Sequence, residues 1–280
     1  MREQPHPSPI PVALSIAGSD SSGGAGLQAD LKTFSAFGVY GATAVTALTA
    51  QNTLGVGGVW AVAPSFVTAQ ITAVLSDLDV GAIKTGMLAS AGTVEAVAQA
   101  LRFAAPRPLI VDPVMVASSG EALLGPGAVE AIKAELLPLA TLLTPNRPEA
   151  ARLLAAGEAA SEADAVAQAE ALRALGCRAV LLKGGHAGGA VALDILADDS
   201  GIHRFIRPML KTCHGHGTGC TLSAAICALL AQGVGLRQAV ERAKGFVWQA
   251  LEAGRSLSLG HGQGPVDHLF AIRRGLYPPA

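Results

Sequence analysis

From Val12 onward, apolar runs of strand length alternate with longer stretches whose apolar residues recur every three or four positions. That alternation marks βα units laid side by side, and it restricts the chain to an α/β fold: a mostly parallel central sheet with helices on both faces. The strand-length runs are Val12 to Ala17, Thr43 to Ala50, Gly81 to Thr85, Leu109 to Asp112, Thr141 to Thr144, Ala179 to Lys183 and Val191 to Leu196. Most lack a period of two, as expected of strands buried on both faces. Helical spacing shows in Leu27, Leu31 and Phe34, and again in Leu222, Ile226, Leu229 and Leu230 after a start near Thr221. A last long helix is expected from about Leu236 to Ala253, closed by the Gly-rich loop Leu259-Gly260-His261-Gly262-Gln263-Gly264-Pro265. No repeat or linker interrupts the series, so residues 12–280 are expected to form one domain. The preceding residues 1–11, with prolines at 5, 7, 9 and 11, read as a flexible tail.

Composition removes several classes of function. Half of the 280 residues are hydrophobic and 15% are charged, enough apolar material for a sizeable core. Lys plus Arg number 20 against 21 Asp plus Glu, with no basic block, so nucleic acid is not an expected partner. No apolar run reaches the roughly 18 residues of a membrane helix, so no membrane partner is expected either. The four cysteines, Cys177, Cys213, Cys220 and Cys227, are scattered through a chain whose start lacks an apolar secretory segment. A reducing, cytoplasmic setting is the expectation, with Cys177 and Cys227 structural.

In such a sheet the carboxyl ends of the strands carry ligands, so the polar residues just past each strand matter most. After the first strand, Gly18-Ser19-Asp20-Ser21-Ser22-Gly23-Gly24-Ala25-Gly26 leads into a helix opening Leu27-Gln28-Ala29-Asp30. It is neither a Walker A loop nor a GxGxxG fingerprint, and a plain turn explains it as well as a polar ligand does. Gln51, after the second strand, offers the donor and acceptor that suit an aminated heterocycle, though an isolated Gln at a strand end is more often a turn residue. Met87 and Met115, after the third and fourth, could line a flat-ring slot or simply fill core. Asp112 is a carboxylate at the end of a buried strand and demands a partner. Asn146 and Glu149, three apart at a helix start, suit either hydrated Mg²⁺ or a capping box.

The densest stretch is Cys213-His214-Gly215-His216-Gly217-Thr218-Gly219-Cys220-Thr221. Its alternating glycines run into a helix, so successive amides can converge on one anion at Gly217, Thr218 and Gly219. The helix field should also lower the Cys220 thiol pKa and make it a proton acceptor. The spacing of Cys and His matches no zinc motif.

Taken together these stretches resemble the hydroxymethylpyrimidine and phosphomethylpyrimidine kinases of thiamine biosynthesis, of the ribokinase-like fold. The resemblance runs from Ala13 to about His268, and is carried by Ala17 to Lys32, Ala50-Gln51-Asn52-Thr53, Lys183-Gly184-Gly185-His186 and His216 to Thr221. It implies an ATP-dependent kinase acting on 4-amino-5-hydroxymethyl-2-methylpyrimidine and then on its monophosphate, with Mg²⁺, in a homodimer. By position it implies that Gln51 reads the ring, with Met87 and Val114 beside it and Gly18 near the substrate. Asp30 and Lys183 fall at the phosphate end. Gly217, Thr218 and Gly219 form the anion hole, Cys220 stands where relatives place an Asp base, and Asn146 and Glu149, with Asp112 nearby, organise Mg²⁺. Gly215 and Ser118 depart from the family, which commonly has Thr and Lys there. A pyridoxal kinase, a catalytically silent pyrimidine or nucleotide sensor, and a thiol hydrolase are the rival readings.

Overall fold

The computed structural model describes residues 10–117, 120–184 and 190–275. The expected tail lies outside these as far as residue 9, as do Ser118 and the Gly185-His186 part of the third motif. The first half of the chain forms β1 (Val12–Asp20), α1 (Gly26–Ala36), β2 (Tyr40–Asn52), β3 (Gly55–Ala61), α2 (Pro64–Asp77), β4 (Val80–Thr85), α3 (Ala91–Arg102) and β5 (Leu109–Val111). The second half forms α4 (Ala128–Ala131), β6 (Leu142–Leu143), α5 (Arg147–Leu154), α6 (Glu162–Arg173), β7 (Val180–Leu182), β8 (Val191–Asp198), β9 (Gly201–Pro208), α7 (Thr218–Ala231), α8 (Leu236–Gly254) and α9 (Phe270–Arg273).

All described strands join one sheet in the order β3-β2-β1-β4-β5-β6-β7-β8-β9. From β2 across to β7 every pairing is parallel, while β3, β8 and β9 run antiparallel to their neighbours. Helices cover both faces. Leu14, Ile16, Val67, Ile71, Val94, Leu136 and Leu153 pack on one side; Ala13, Phe34, Ile110, Ile226, Val240 and Phe246 pack on the other. Successive β1 residues thus feed opposite cores, which is why its sequence shows no polar alternation. Each of the Val, Leu, Ile and Phe side chains among them contributes about 1.5–3 kcal/mol by leaving water.

Two strands were not expected, β3 and β9, and both lie at sheet edges where little apolar patterning is required. The second strand also extends to Asn52, so Gln51 sits within it rather than after it. Helix α7 begins at Thr218, three residues before the expected start. Gly217, its N-cap, has φ +80, and a Cβ there would collide with the Gly24 carbonyl oxygen, so glycine alone fits.

The sheet order reverses beside β1, whose neighbours β2 and β4 continue the chain in opposite directions. The loops following β1 and β4 therefore part company, and a crevice opens between them at the carboxyl edge.

Candidate active site

That crevice deepens into a cavity of about 910 Å³, lined by the ends of β1, β4 and β5, the Asn146 helix start, Lys183 and the Gly215–Cys220 segment. Gly18, Gln51, Met87, Val114, Asp112, Asn146, Glu149, Lys183, Gly217, Thr218, Gly219 and Cys220 all line it, so one cavity gathers most of the residues singled out in the sequence. Asp30 is the exception. It is fully buried below the cavity, where it accepts from Ser15 Oγ at 2.6 Å and pairs with Lys84 Nζ at 2.8 Å. Its reach to the cavity is through Lys84, which does line the wall.

One end of the cavity is apolar and amide-bearing. Gly18 lets Met87 lie close, since a Cβ there would stand 3.1 Å from the Met87 sulfur. The Gln51 Oε1 accepts from Thr49 at 3.1 Å, and its Nε2 lies 3.3 Å from His216 Nε2. His216 Nε2 in turn lies 2.8 Å from Asp20 Oδ2. Burial pushes the Asp20 carboxyl up, but His216, the Ser22 hydroxyl and amide, and the Ala25 amide outweigh it and hold it at about 2. The sequence gives no hint of this Asp20–His216–Gln51 chain, because its members are distant until the fold closes.

The middle of the cavity is the helix start. Thr218, Gly219 and Cys220 form the first turn of α7, whose leading amides have no partner within the helix. The Gly215 carbonyl accepts from both the Thr218 amide at 3.2 Å and Thr218 Oγ1 at 2.6 Å, so that amide is already bonded, and a Cβ at Gly215 would meet only Thr218 Oγ1, at 3.9 Å.

Cys220 corrects an expectation. Its sulfur receives the Gly26 amide, and the positive end of α7 and Lys84 both favour a thiolate, yet burial outweighs them and pushes the thiol up to about 11. The helix field was foreseeable in sequence; the desolvation was not. Lys84 is the residue that the sequence reading passed over. A lysine in the middle of a strand buried on both faces requires a carboxylate, and Asp30 supplies it, raising the Lys84 pKa against the burial that would lower it.

The acidic side of the cavity is a compact cluster. Asp112 accepts from Lys183 at 3.1 Å, Thr144 at 3.1 Å and Ser223 at 3.0 Å. Burial alone would raise its carboxyl, but Lys183 and Lys84 hold it below the usual range. Asn146 and Glu149 form a complete capping box on α5, with bonds of 2.8 and 2.7 Å between each side chain and the other's amide. Of the two readings of this pair, the capping one is therefore realised. Glu149 also faces the cavity, 3.9 Å from Lys183; burial pushes it up to about 7, with Lys183 opposing and Asp112 adding. Cys177 and Cys227 are buried free thiols, as expected. Among the described residues, no helix is long and apolar enough to cross a membrane.

A strand-order crevice with a glycine-led helix start at its centre, an amide-and-thioether end and a lysine–carboxylate end defines the ribokinase-like α/β kinases. The family model for phosphomethylpyrimidine kinase matches residues 20–267, and the chain belongs to that family. A hydroxymethylpyrimidine/phosphomethylpyrimidine kinase of Rhizobium meliloti is 53% identical over 92% of this chain and 96% of its own. The solved structure of a Bacillus subtilis pyridoxal kinase with ADP superposes with a TM-score of 0.87 at 36% identity, covering 95% of this chain and 99% of that one. That of a Clostridium difficile phosphomethylpyrimidine kinase gives 0.77 at 41% identity, covering 86% and 99%.

Proposed function

We propose that the chain transfers the γ-phosphoryl group of ATP to the hydroxymethyl oxygen of 4-amino-5-hydroxymethyl-2-methylpyrimidine, and then to the monophosphate so formed. The observation that carries this reading is the continuity of one cavity through three chemistries. Gln51, Met87, Gly18 and Val114 bound one end; the Gly217–Cys220 turn stands at the centre; Arg207, Pro208, Met209, Lys244, Val247 and Trp248 line the far lobe. These residues set apolar side chains beside Arg207, paired with Glu241, and Lys244, paired with Asp194, a wall that suits a nucleotide, and the Bacillus subtilis relative was solved with ADP.

In this reading Gln51 fixes the aminopyrimidine edge while Met87 and Val114 hold the ring faces, which points the hydroxymethyl oxygen at the α7 turn. The Gly217 and Gly219 amides stabilise charge on the transferring phosphoryl group, with Thr218 between them fixed by the bonds of its own amide and hydroxyl to the Gly215 carbonyl. As the new P–O bond forms and the β–γ bridging bond breaks, ADP departs and the hydroxyl proton passes to Cys220 as its thiolate. Lys84, anchored by Asp30, lies under that thiolate and opposes its desolvation. Lys183 offers its ammonium to a phosphate at the same end.

For Mg²⁺ the donors are of the right kind: Asp112 and Glu149 present carboxylate oxygens to the cavity with only Lys183 between them. The two would hold the ion, Asn146 fixing the Glu149 backbone, and such an ion would supply charge neutralisation. A homodimer fits the exposed apolar pair that β2 and β3 present on one face, where Leu48 and its cross-strand partner Trp60 stand out to solvent.

The test is ADP formation by the purified protein with Mg·ATP and the hydroxymethylpyrimidine, its monophosphate, pyridoxal or no acceptor. Turnover on both pyrimidines is expected. Turnover on pyridoxal alone moves the assignment to that vitamer, and none on any acceptor leaves a silent sensor.

A further inference from the structure

The Gly-rich segment after α8 is not part of the chemistry above, and its glycines have no need of special backbone freedom as a group. What distinguishes them is clearance. A Cβ at Gly262 would collide with the Thr53 carbonyl, and one at Gly264 with the His214 ring nitrogen Nδ1. The backbone passes this close because it is bonded at both ends. His261 and Gly262 donate their amides to Thr53 Oγ1 at 3.1 Å each, and Gln263 donates to the Thr53 carbonyl at 2.9 Å. One residue on, the Gly264 carbonyl accepts from the His216 amide at 3.2 Å, and His216 and Pro265 pair as a short parallel bridge.

The segment thus joins two pieces of chain that share no covalent proximity. Thr53 follows the end of β2 and lies two residues from Gln51; His216 precedes the N-cap of α7 and lies 3.3 Å from the Gln51 amide. Thr53 itself is outside the cavity lining. Three amides converging on one residue at the tip of a hairpin whose outer strand is exposed are more than that turn needs for its own closure.

We propose that residues 260–265 are a strap that fixes the Gln51 amide relative to the His214–Gly219 segment, with Thr53 as the positioning residue through which it acts. The strap sets where the ring-reading end of the cavity stands against the phosphoryl-transfer turn. Loss of it leaves the chemistry intact but lets Gln51 drift. This rests on the proposed role of Gln51 in ring recognition, whereas the mechanical link between the two segments does not.

The variants are Thr53→Val, which removes the acceptor of two strap amides while keeping the shape, and Thr53→Ser, which restores it. In Thr53→Val, KM for the hydroxymethylpyrimidine should rise about tenfold, with KM for ATP and kcat changed less than about threefold; Thr53→Ser should return KM to within about twofold. Equal changes in both KM values, a loss confined to kcat, or no rescue by Ser overturns the positioning role. Amide hydrogen exchange gives the readout that needs no substrate: Thr53→Val should speed exchange in peptides covering both 50–54 and 214–218. Faster exchange in 50–54 alone overturns the strap. If the wild-type protein turns over no pyrimidine yet exchange rises in both segments, the substrate assignment fails and the strap stands.

Discussion

At the scale of single residues, the site pairs groups that sequence presents plainly with groups that it hides. Glycines leading into an apolar helix announce an anion cradle in any order of folding, so Gly217 to Cys220 were legible. The partners Asp30 and Lys84, or Asp20 and His216, were not, because the need of a buried charge for an opposite one says nothing of where the other lies. Cys220 shows the cost of judging a side chain by one influence. The helix start draws its pKa down, yet burial places it at about 11. A base with that value is almost wholly protonated at neutral pH, and its active fraction grows tenfold per unit as pH rises. The kcat/KM of the wild-type chain should therefore climb with a slope near one from about pH 7 to pH 9, and Cys220→Ala should abolish most of it. A plateau already reached at pH 7 would show a depressed thiol instead.

At the scale of elements, the central strands were legible because burial on both faces leaves a nearly unbroken apolar run, as in Leu109–Val111 and Val180–Leu182. The edge strand Gly55–Ala61, largely exposed and rich in glycine, obeys no such demand and is held by its hairpin partner β2. Helix α5 illustrates one residue serving two elements, since Glu149 caps the helix and faces the cavity. Its carboxyl is raised from 4.5 to about 7, so the folded chain keeps a proton there that the unfolded chain has released. The stability contributed by the neutral form is complete below about pH 4.5 and is lost as pH rises through 7. Denaturant titrations should show wild type losing roughly 2–3 kcal/mol relative to Glu149→Gln across that window. A difference independent of pH would place the carboxyl in its ordinary range.

At the scale of the whole molecule, the sheet leaves one apolar edge without cover. Trp60, 76% exposed on β3, and its cross-strand partner Leu48 form a surface that water disfavours. Light scattering should give about twice the chain mass for wild type and the single-chain mass for Trp60→Glu, with the far-UV spectrum unchanged; an unaltered mass would remove this face from the interface. The reversal of strand order beside β1 has a broader meaning. Gly18, Gln51 and Met87, the walls proposed to meet the acceptor, come from the first third of the chain, whereas the Gly217 turn and the wall formed by Arg207, Lys244 and Trp248 come from the last. The two ends of the cavity are written in separate stretches of sequence that meet only in space, bridged where His216 reaches Gln51 and where Lys84 acts on Cys220. In the proposed roles, substitutions at the first wall would change which acceptor is chosen while leaving in place the helix start that meets the phosphates.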